Sequence, residues 1–258
     1  MEHEELLTKR KGKIAFLYLN RPEKFNALNI SLLDKINLAL KEISKDDKIR
    51  VIILTGIGEK AFAAGADISE FSELKSNEAL GLSKKGKEKV FDFIEDFSKP
   101  VIAAINGYAL GGGLELALSC DIRIASNNAL MGFPEASLGT IPGYGGTYRL
   151  AEIVGKGIAK EMILTCRKIS SKEALQIGLI SHLTKKNELL EKAVQVANEI
   201  ILNSPNAATS AIKVINYSGR ESKKTCSEIE SKYFSKCFDH PEFKKGVNAF
   251  LNKQKPNF

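Results

Sequence analysis

Two glutamates in apolar surroundings are the residues of this sequence best suited to acid–base chemistry. Glu115 follows three consecutive glycines and lies between two leucines, and Glu135 follows a Phe-Pro pair. Burial of two carboxyl groups in one apolar site would raise the pKa of at least one, which separates a proton donor from a proton acceptor. Each also has a structural interpretation. Glu115 would complement the dipole at a helix N-terminus, and Glu135 would be an exposed acid in a turn.

Two glycine-rich loops could bind a negatively charged oxygen through backbone N–H groups. The first covers residues 63–67 (Ala-Ala-Gly-Ala-Asp), and the second is the glycine run at 111–113, which opens a short helix. Consecutive glycines let the backbone approach a ligand closely, and a helix N-terminus offers unpaired N–H groups and a positive dipole end. The pattern indicates an oxyanion hole. The alternative is close packing of a strand against a helix, with no ligand.

Other chemistries lack the residues that they need. The three histidines, His3, His182 and His240, form no zinc-binding motif. The sequence has no Walker A motif and no G-x-S-x-G nucleophile elbow. Residues 56–61 match the dinucleotide pattern G-x-G-x-x-A, but the residues that follow do not favour the long helix which that pattern requires. We therefore expect neither a metal nor an organic cofactor.

Composition and charge narrow the class of protein. Of the 258 residues, 43% are hydrophobic and 27% are charged, which is typical of a globular chain. The 38 basic and 31 acidic residues give a net charge of +7, which favours an anionic partner, either nucleic acid or a phosphorylated small molecule. Because the lysines are scattered and little interleaved with aromatic residues, a solvated lysine-rich surface is the simpler interpretation, and we expect no nucleic-acid partner.

Signals for export or membrane insertion are missing from the sequence. The acidic residues 1–5 lack the apolar segment of a secretory signal and the composition of a transit peptide. No run approaches the ~18 apolar residues of a membrane-spanning helix. Four widely spaced cysteines indicate reduced thiols. We expect a cytoplasmic protein with no membrane partner.

Strands and helices alternate through the first part of the chain. Apolar, β-branched runs predict buried strands at 51–55 and 101–105, and a helix is predicted from an N-cap at Ser31 to about residue 44. The other predicted elements are strands at 13–19, 121–125 and 129–132, helices at 78–97 and 114–119, a mostly helical chain from 147 onward, and helices at 189–202, 207–217, 225–237 and 242–253. This order predicts an α/β core followed by a helical C-terminal region, with a boundary near 200–206.

These motifs resemble the enoyl-CoA hydratase/isomerase (crotonase) superfamily over essentially the full length of the chain. The glycine-opened helix preceded by Pro-Val-Ile-Ala-Ala at 100–104 is a highly specific signal. The spacing of twenty positions between Glu115 and Glu135 is similar to the short-chain hydratase branch. The matching stretches are 20–22, 26–29, 61–68, 99–116, 120–121, 134–135 and 138–149.

The resemblance implies an α/β fold, the crotonase (ClpP-like) spiral of repeated ββα units, with nearly perpendicular sheets and a C-terminal helical trimerisation region. Residues 1–200 would form the spiral core with the CoA site and the active site, and residues 201–258 the oligomerisation region. Members of this family are usually homotrimers or homohexamers built as dimers of trimers, so we expect one of these assemblies.

The resemblance also implies an activity, the syn addition of water across the 2,3 double bond of a 2-enoyl-CoA thioester to give 3-hydroxyacyl-CoA, and the reverse dehydration. By position, the N–H groups of Ala66 and Gly112 bind the thioester oxygen, Glu115 activates the water and Glu135 gives a proton to C2. CoA is part of the substrate, and no further cofactor is implied. The residues implied in substrate binding are Lys24, Ala27, Leu28, Ala64, Asp67, Ile68, Gly111 and, from a neighbouring subunit, Lys253.

Three positions depart from the family pattern. Ser69 stands where a lysine near the CoA phosphates is frequent, which places that contact in question. Phe133 and Tyr148 stand where glutamine is common. These two changes would reshape the acyl pocket, and the preferred acyl chain length is therefore open.

Other activities remain open at this point. The same fold supports double-bond isomerases, acyl-CoA hydrolases and decarboxylase-like members. Isomerisation needs no water and can proceed with one base, so the presence of both Glu115 and Glu135 favours water addition. The basic charge would also suit a non-enzymatic RNA-binding relative, but the lack of aromatic–basic interleaving counts against it.

Overall fold

The computed structural model describes residues 4–258, which form two β-sheets and the helices around them. The strands are β1 (Leu6–Lys11), β2 (Ile14–Leu19), β3 (Val51–Gly56), β4 (Ala61–Ala63), β5 (Val101–Ile105), β6 (Tyr108–Leu110), β7 (Ile122–Ser126), β8 (Leu130–Gly132), β9 (Lys168–Ser170) and β10 (His182–Thr184). The helices are α1 (Ile30–Lys45), α2 (Ser76–Gly86), α3 (Asp92–Glu95), α4 (Gly112–Ser119), α5 (Gly146–Val154), α6 (Lys156–Thr165), α7 (Ser171–Gln176), α8 (Leu189–Ile201), α9 (Pro205–Tyr217), α10 (Lys223–Asp239) and α11 (Pro241–Leu251). A π-helical turn, Lys87–Phe91, joins α2 to α3, and short 3-10 segments lie at Pro22–Lys24, Ile68–Glu70, Glu135–Leu138 and Lys186–Glu188.

The larger sheet has the strand order β1-β2-β3-β5-β7-β10, and the smaller sheet has the order β4-β6-β8-β9. In the larger sheet β1 is antiparallel to β2, and every other neighbouring pair is parallel. In the smaller sheet β4, β6 and β8 are parallel, and β9 is antiparallel to β8.

Successive strands alternate between the two sheets. The strands β3, β5 and β7 belong to the larger sheet, and each is followed by a short strand of the smaller sheet (β4, β6 and β8) and then by a helix. The predicted repetition of ββα units is therefore confirmed. The unit formed by β5, β6 and α4 carries the glycine run and Glu115.

Strand β3 is buried along its whole length because it faces two apolar cores, as its uninterrupted apolar sequence predicts. Ile52 and Leu54 belong to a main core that also contains residues of α1 and α4. Val51 and Ile53 belong to a second core that includes residues of α8. Alternate side chains of one strand thus hold layers on both sides of the larger sheet.

The structure corrects the predicted start of the first long helix. Asn29, rather than Ser31, caps α1, and its side chain accepts the N–H of Leu32 at 2.8 Å. The Ser31 hydroxyl instead donates to Glu5 Oε2 at 2.6 Å. Asn29 and Ser31 could both cap the helix. The Glu5 carboxylate binds the Ser31 hydroxyl, and Asn29 is the residue that caps α1.

Short strands are the elements that the sequence analysis missed. Strands β4 and β6 lie in regions interpreted as loops, and β9 and β10 interrupt the region after 147 that was predicted to be mostly helical. Strand β1 was not predicted either. A three-residue strand is too short to show an alternating pattern, and its pairing depends on the neighbouring strand rather than on local propensity.

The C-terminal helices α9, α10 and α11 contain no buried residues within this single chain. Among their exposed apolar side chains are Phe234, Phe250 and Leu251. Helix α9 is tied to the core, since Thr209 and Asn216 donate to backbone carbonyl oxygens near α3. None of the helices in residues 4–258 has the length and apolar character needed to cross a membrane. The division at residue 200 stays a prediction.

Candidate active site

Helix α4 is the central element of the candidate site, and all eight of its residues are buried. Gly111 precedes it with a φ of 50°, a conformation that favours glycine, and donates its N–H to the Gly132 carbonyl at 2.9 Å. A Cβ on Gly113 would collide with the carbonyl oxygen of Ala63 in β4. The glycine run therefore lets the helix begin directly against the smaller sheet.

Glu115 lies in the first turn of α4 and is only 1% exposed. Its Oε1 accepts hydrogen bonds from the backbone N–H groups of Tyr144 and Gly146, both at 2.7 Å. The pKa of Glu115 is raised by burial, and the backbone N–H groups of Gly146, Tyr144 and Gly143 and the positive charge of Arg149 offset that rise only in part. The backbone N–H groups thus fix the orientation of this carboxyl group.

Glu135 opens the 3-10 segment after β8, on the other side of the glycine run. A Cβ on Gly111 would lie 2.7 Å from Glu135 Oε1, so this carboxyl group is in contact with the turn that begins α4. Its Oε2 is buried and has no partner within the described residues. Burial, together with the negative charge of Glu115, raises the pKa of Glu135 to about 7. Burial and the neighbouring negative charge thus favour the protonated form of Glu135.

The predicted oxyanion donors Ala66 and Gly112 are neighbours in the structure. A Cβ on Gly112 would lie 3.2 Å from the Ala66 nitrogen. Leu28 pairs with Ala66 in an isolated parallel bridge, but the bonds of that bridge use the Gly65 carbonyl and the Asp67 N–H. Within residues 4–258 the N–H groups of Ala66 and Gly112 donate to no protein atom. The residues that carry the two predicted donors thus lie next to each other.

Asp67 supports the loop that carries Ala66. Its carboxylate accepts a hydrogen bond from Arg21 at 2.9 Å and from the Ser69 hydroxyl at 2.7 Å. These two hydrogen bonds, opposed by partial burial, lower the pKa of Asp67. Arg21 also donates to the Ala27 carbonyl at 2.6 Å. The departure at Ser69 therefore has a structural role here, because its hydroxyl fixes Asp67.

The structure brings most of the predicted substrate-binding residues together around two loops, 24–28 and 64–68. The Ala64 N–H donates to a carbonyl in the first loop, and Leu28 pairs with the second. Lys24 and Ile68 are exposed at the ends of these loops. Lys253 lies beyond α11 in the exposed C-terminal segment, and no hydrogen bond in residues 4–258 joins it to either loop.

Aromatic side chains form the wall of the site. A Cβ on Gly146 would lie 2.7 Å from the ring of Phe133 and 2.8 Å from Glu115 Cγ, so this buried phenylalanine packs beside the catalytic candidate. Tyr144 stacks on Phe91 with ring centroids 4.6 Å apart and lies close to Gly112. Tyr148 is more exposed and lies on the outer side of the site.

The sequence did not reveal the N–H groups of Tyr144 and Gly146, which donate to Glu115, or the nearby positive charge of Arg149. The glycine pair at 145–146 is a signal for a turn, but nothing in it identifies the partner of that turn. The partner lies 29 to 31 positions earlier in the chain.

A cavity of about 880 Å³ lies between the core and α9 and is lined by Asp121, Arg149 and Glu152 among others. Neither Glu115 nor Glu135 lines it. In the described part of the chain, no group of three or more His, Cys, Asp or Glu side chains is arranged to hold a metal ion.

The chain is similar to known proteins of one family. Residues 9–258 match the family model described as enoyl-CoA hydratase/isomerase. The chain is 44% identical to the short-chain-enoyl-CoA hydratase of Clostridium acetobutylicum, over 99% of this chain and 97% of that protein. It is 41% identical to the crotonyl-CoA hydratase of Syntrophomonas wolfei, over 100% and 99% of the two chains.

Solved structures show the same architecture. The enoyl-CoA hydratase from Bacillus anthracis superposes with a TM-score of 0.91 at 36% identity and 98% coverage of both chains. DspI from Pseudomonas aeruginosa superposes with a TM-score of 0.94 at 34% identity, covering 100% of this chain and 98% of that one. The chain therefore belongs to the enoyl-CoA hydratase/isomerase family, and the crotonase fold predicted from its sequence is confirmed.

Proposed function

We propose that this protein is a hydro-lyase that catalyses the reversible hydration of a short 2-enoyl-CoA thioester to 3-hydroxyacyl-CoA. The names of the relatives from Clostridium and Syntrophomonas support this substrate class. One observation carries the proposal. Glu115 is oriented by two backbone N–H groups, and the neighbouring Glu135 has a buried oxygen with no partner among the described residues. Water addition needs a proton acceptor and a proton donor, and this pair supplies both.

The N–H groups of Ala66 and Gly112 would bind the thioester oxygen of the substrate. Negative charge grows on this oxygen as water adds at C3, and preorganised N–H donors stabilise that charge. Loss of one such donor typically costs about 100- to 1000-fold in kcat. The closeness of Ala66 to Gly112 and the absence of a protein acceptor for either N–H group, within residues 4–258, support this role.

The surroundings of the two carboxyl groups support different roles for them. Two N–H donors and the charge of Arg149 favour the ionised form of Glu115, which would accept the proton of the water. Glu135, with its pKa raised to about 7, would donate a proton to C2. In dehydration the two roles are exchanged. Two carboxyl groups that act on one water molecule deliver the hydroxyl group and the proton to the same face of the double bond, so the addition is syn.

The CoA part of the substrate would lie along the loops at 24–28 and 64–68, where the predicted binding residues gather. No cofactor besides the substrate's own CoA is needed for this chemistry. We also propose a homotrimer or homohexamer built through residues 201–258, and the exposed apolar side chains of α10 and α11 support this. Lys253 would then contact CoA bound to a neighbouring subunit. Light scattering measures the mass of the assembly.

The test of this proposal is the turnover of crotonyl-CoA, followed by loss of the enoyl-thioester absorbance and by identification of 3-hydroxybutyryl-CoA. The change Glu135→Gln should reduce kcat by about 100-fold or more, because it removes the proton donor. Glu188→Gln, at an exposed glutamate, is the matched control and should keep full activity.

Three results would contradict the proposal. A Glu135→Gln enzyme with a near-native rate would remove this residue from the mechanism. Release of free CoA would indicate a hydrolase, and migration of the double bond without uptake of water would indicate an isomerase.

A further inference from the structure

Arg149 is a buried positive charge close to the candidate active site, and it takes no part in the proposed proton transfers. Its side chain is only 2% exposed, and it lies on α5, directly after the turn that contacts Glu115. We propose that Arg149 is a positioning residue for Glu115, which holds the turn at 143–146 in place and supplies a positive charge near this carboxyl group. This inference rests on the proposed hydratase function.

The first argument is the hydrogen bond from Arg149 to the turn. Arg149 Nη1 donates to the Tyr144 carbonyl oxygen at 2.7 Å. The N–H of the same residue, Tyr144, and the N–H of Gly146 donate to Glu115 Oε1. Gly145, with a φ of 104°, lies between them and makes the turn. The guanidinium therefore holds the peptide groups whose N–H donors orient Glu115.

The second argument is that Arg149 is itself fixed. Its Nη2 donates to Asp92 Oδ1 at 2.7 Å and to Glu95 Oε2 at 2.6 Å, and its Nε donates to the same Glu95 oxygen at 3.0 Å. Both acids belong to α3. Arg220, in the segment between α9 and α10, contacts the other oxygen of Glu95 at 3.1 Å. A planar guanidinium with several charge-assisted hydrogen bonds is held in one geometry, which the flexible ammonium of lysine does not reproduce.

The third argument is electrostatic. The charged or titratable groups that face Glu115 are Arg149 on α5, Glu135 on the 3-10 segment and Tyr144 in the turn. Glu135 and Tyr144 are neutral when protonated and negative when ionised. Arg149 is therefore the positively charged member of this set. Its removal would favour the protonated form of Glu115. Since the base must be ionised, the acidic limb of the kcat/KM profile would move to higher pH.

The chain offers a matched control in Arg167. This arginine also contacts two acids, Glu161 at 2.9 Å and Glu173 at 2.6 Å, but it has no contact with the turn at 143–146. The change Arg167→Lys therefore reports what the loss of a paired guanidinium does away from the site.

The experiment compares Arg149→Lys with Arg167→Lys in the full chain with crotonyl-CoA. We expect Arg149→Lys to lower kcat by about 10- to 100-fold with little change in KM, because a small displacement of a catalytic group has effects of this size. Arg167→Lys should retain the native kcat. Circular dichroism and light scattering check that both variants keep the native fold and mass.

A second variant separates charge from geometry. The double variant Arg149→Gln with Glu95→Gln removes the positive charge together with the acid that accepts two of its hydrogen bonds. We expect the acidic limb of its kcat/KM profile to move up by about one pH unit, whereas Arg149→Lys keeps the native limb. Carboxyl carbon-13 NMR, with Glu115→Gln for assignment, should show the same shift in the titration of Glu115 without any turnover.

The outcomes are distinct for the two proposals. If the wild-type chain does not hydrate crotonyl-CoA, the proposed function fails, and the NMR titration still tests the role of Arg149. The positioning role is overturned if the wild type is active and both lysine variants match it in kcat. It is also overturned if the titration of Glu115 does not move in the double variant Arg149→Gln, Glu95→Gln.

Discussion

Glu115 and Glu135 lie close together but are supported in opposite ways. Glu115 belongs to a fully buried helix and accepts two N–H groups. Glu135 belongs to a short 3-10 segment, and its Oε2 is buried without a partner among residues 4–258. Burial alone raises the pKa of both groups. The difference teaches that hydrogen bonds and a nearby positive charge favour the ionised form of one buried carboxyl group over that of its neighbour.

The largest expected effect comes from removing the better-supported member of the pair. Glu115→Gln keeps an oxygen that can accept the N–H groups of Tyr144 and Gly146, so the fold should be retained. The loss of the base should lower kcat for crotonyl-CoA by about 1000- to 10,000-fold, the upper part of the range for acid–base groups. Steady-state kinetics of Glu115→Gln and Glu135→Gln, measured side by side, shows which of the two residues contributes more to kcat. Equal and small losses in both variants would contradict the division of roles.

A smaller effect is expected from moving Glu115 without replacing it. In Gly146→Ala the new methyl group would meet Glu115 Cγ and the Phe133 ring at under 3 Å. Overpacking of this kind costs about 1–3 kcal/mol of stability, and displacement of Glu115 should lower kcat by about 10- to 100-fold.

Gly157→Ala is the control for that substitution, because a Cβ there meets no atom within 4 Å on α6. It should stabilise the protein by roughly 0.5–1 kcal/mol and leave kcat unchanged. Native activity and native stability in Gly146→Ala would show that the turn does not hold Glu115 tightly.

The smallest expected effect concerns stability and pH. Burial raises the pKa of Glu135 from 4.5 to about 7, so the folded state favours the protonated form. The resulting contribution to the free energy of unfolding is fully present below pH 4.5 and is lost as the pH rises through 7. Glu135→Gln stays neutral and should become more stable than the wild type at pH 8 by about 1–2 kcal/mol, after allowance for partial exposure. Urea denaturation at pH 5 and pH 8 measures this, and an identical pH dependence in both proteins would contradict it.

Much of the fold was predictable because its signals are local. The apolar run in β3 and the spacing of apolar residues in α1 and α8 predicted these elements within a few residues. The three-residue strands β4, β6, β9 and β10 were missed, since their pairing depends on partners remote in sequence. The cap of α1 was misassigned to Ser31 because Glu5, which binds that serine, lies 26 positions away.

The residues of the candidate site were predicted more completely than their surroundings. Ala66, Gly112, Glu115 and Glu135 were named from glycine runs, apolar neighbours and the family resemblance, and the structure places them side by side. The role of Arg149 was not predicted. An arginine in a helical pattern looks the same in sequence whether it is solvated or buried between two acids.

The sequence by itself determined the longer helices and the apolar strands β2, β3, β5 and β7, the glycine run that opens α4 and the presence of two acids in apolar segments, because apolar periodicity and glycine content act over a few neighbouring residues. Only the tertiary structure decided that Glu115 accepts the N–H groups of residues 144 and 146 while Oε2 of Glu135 is buried without a partner in residues 4–258. The reason is physical. The ionisation of a buried carboxyl group depends on donors and charges within a few ångströms, and the folded chain alone brings them there.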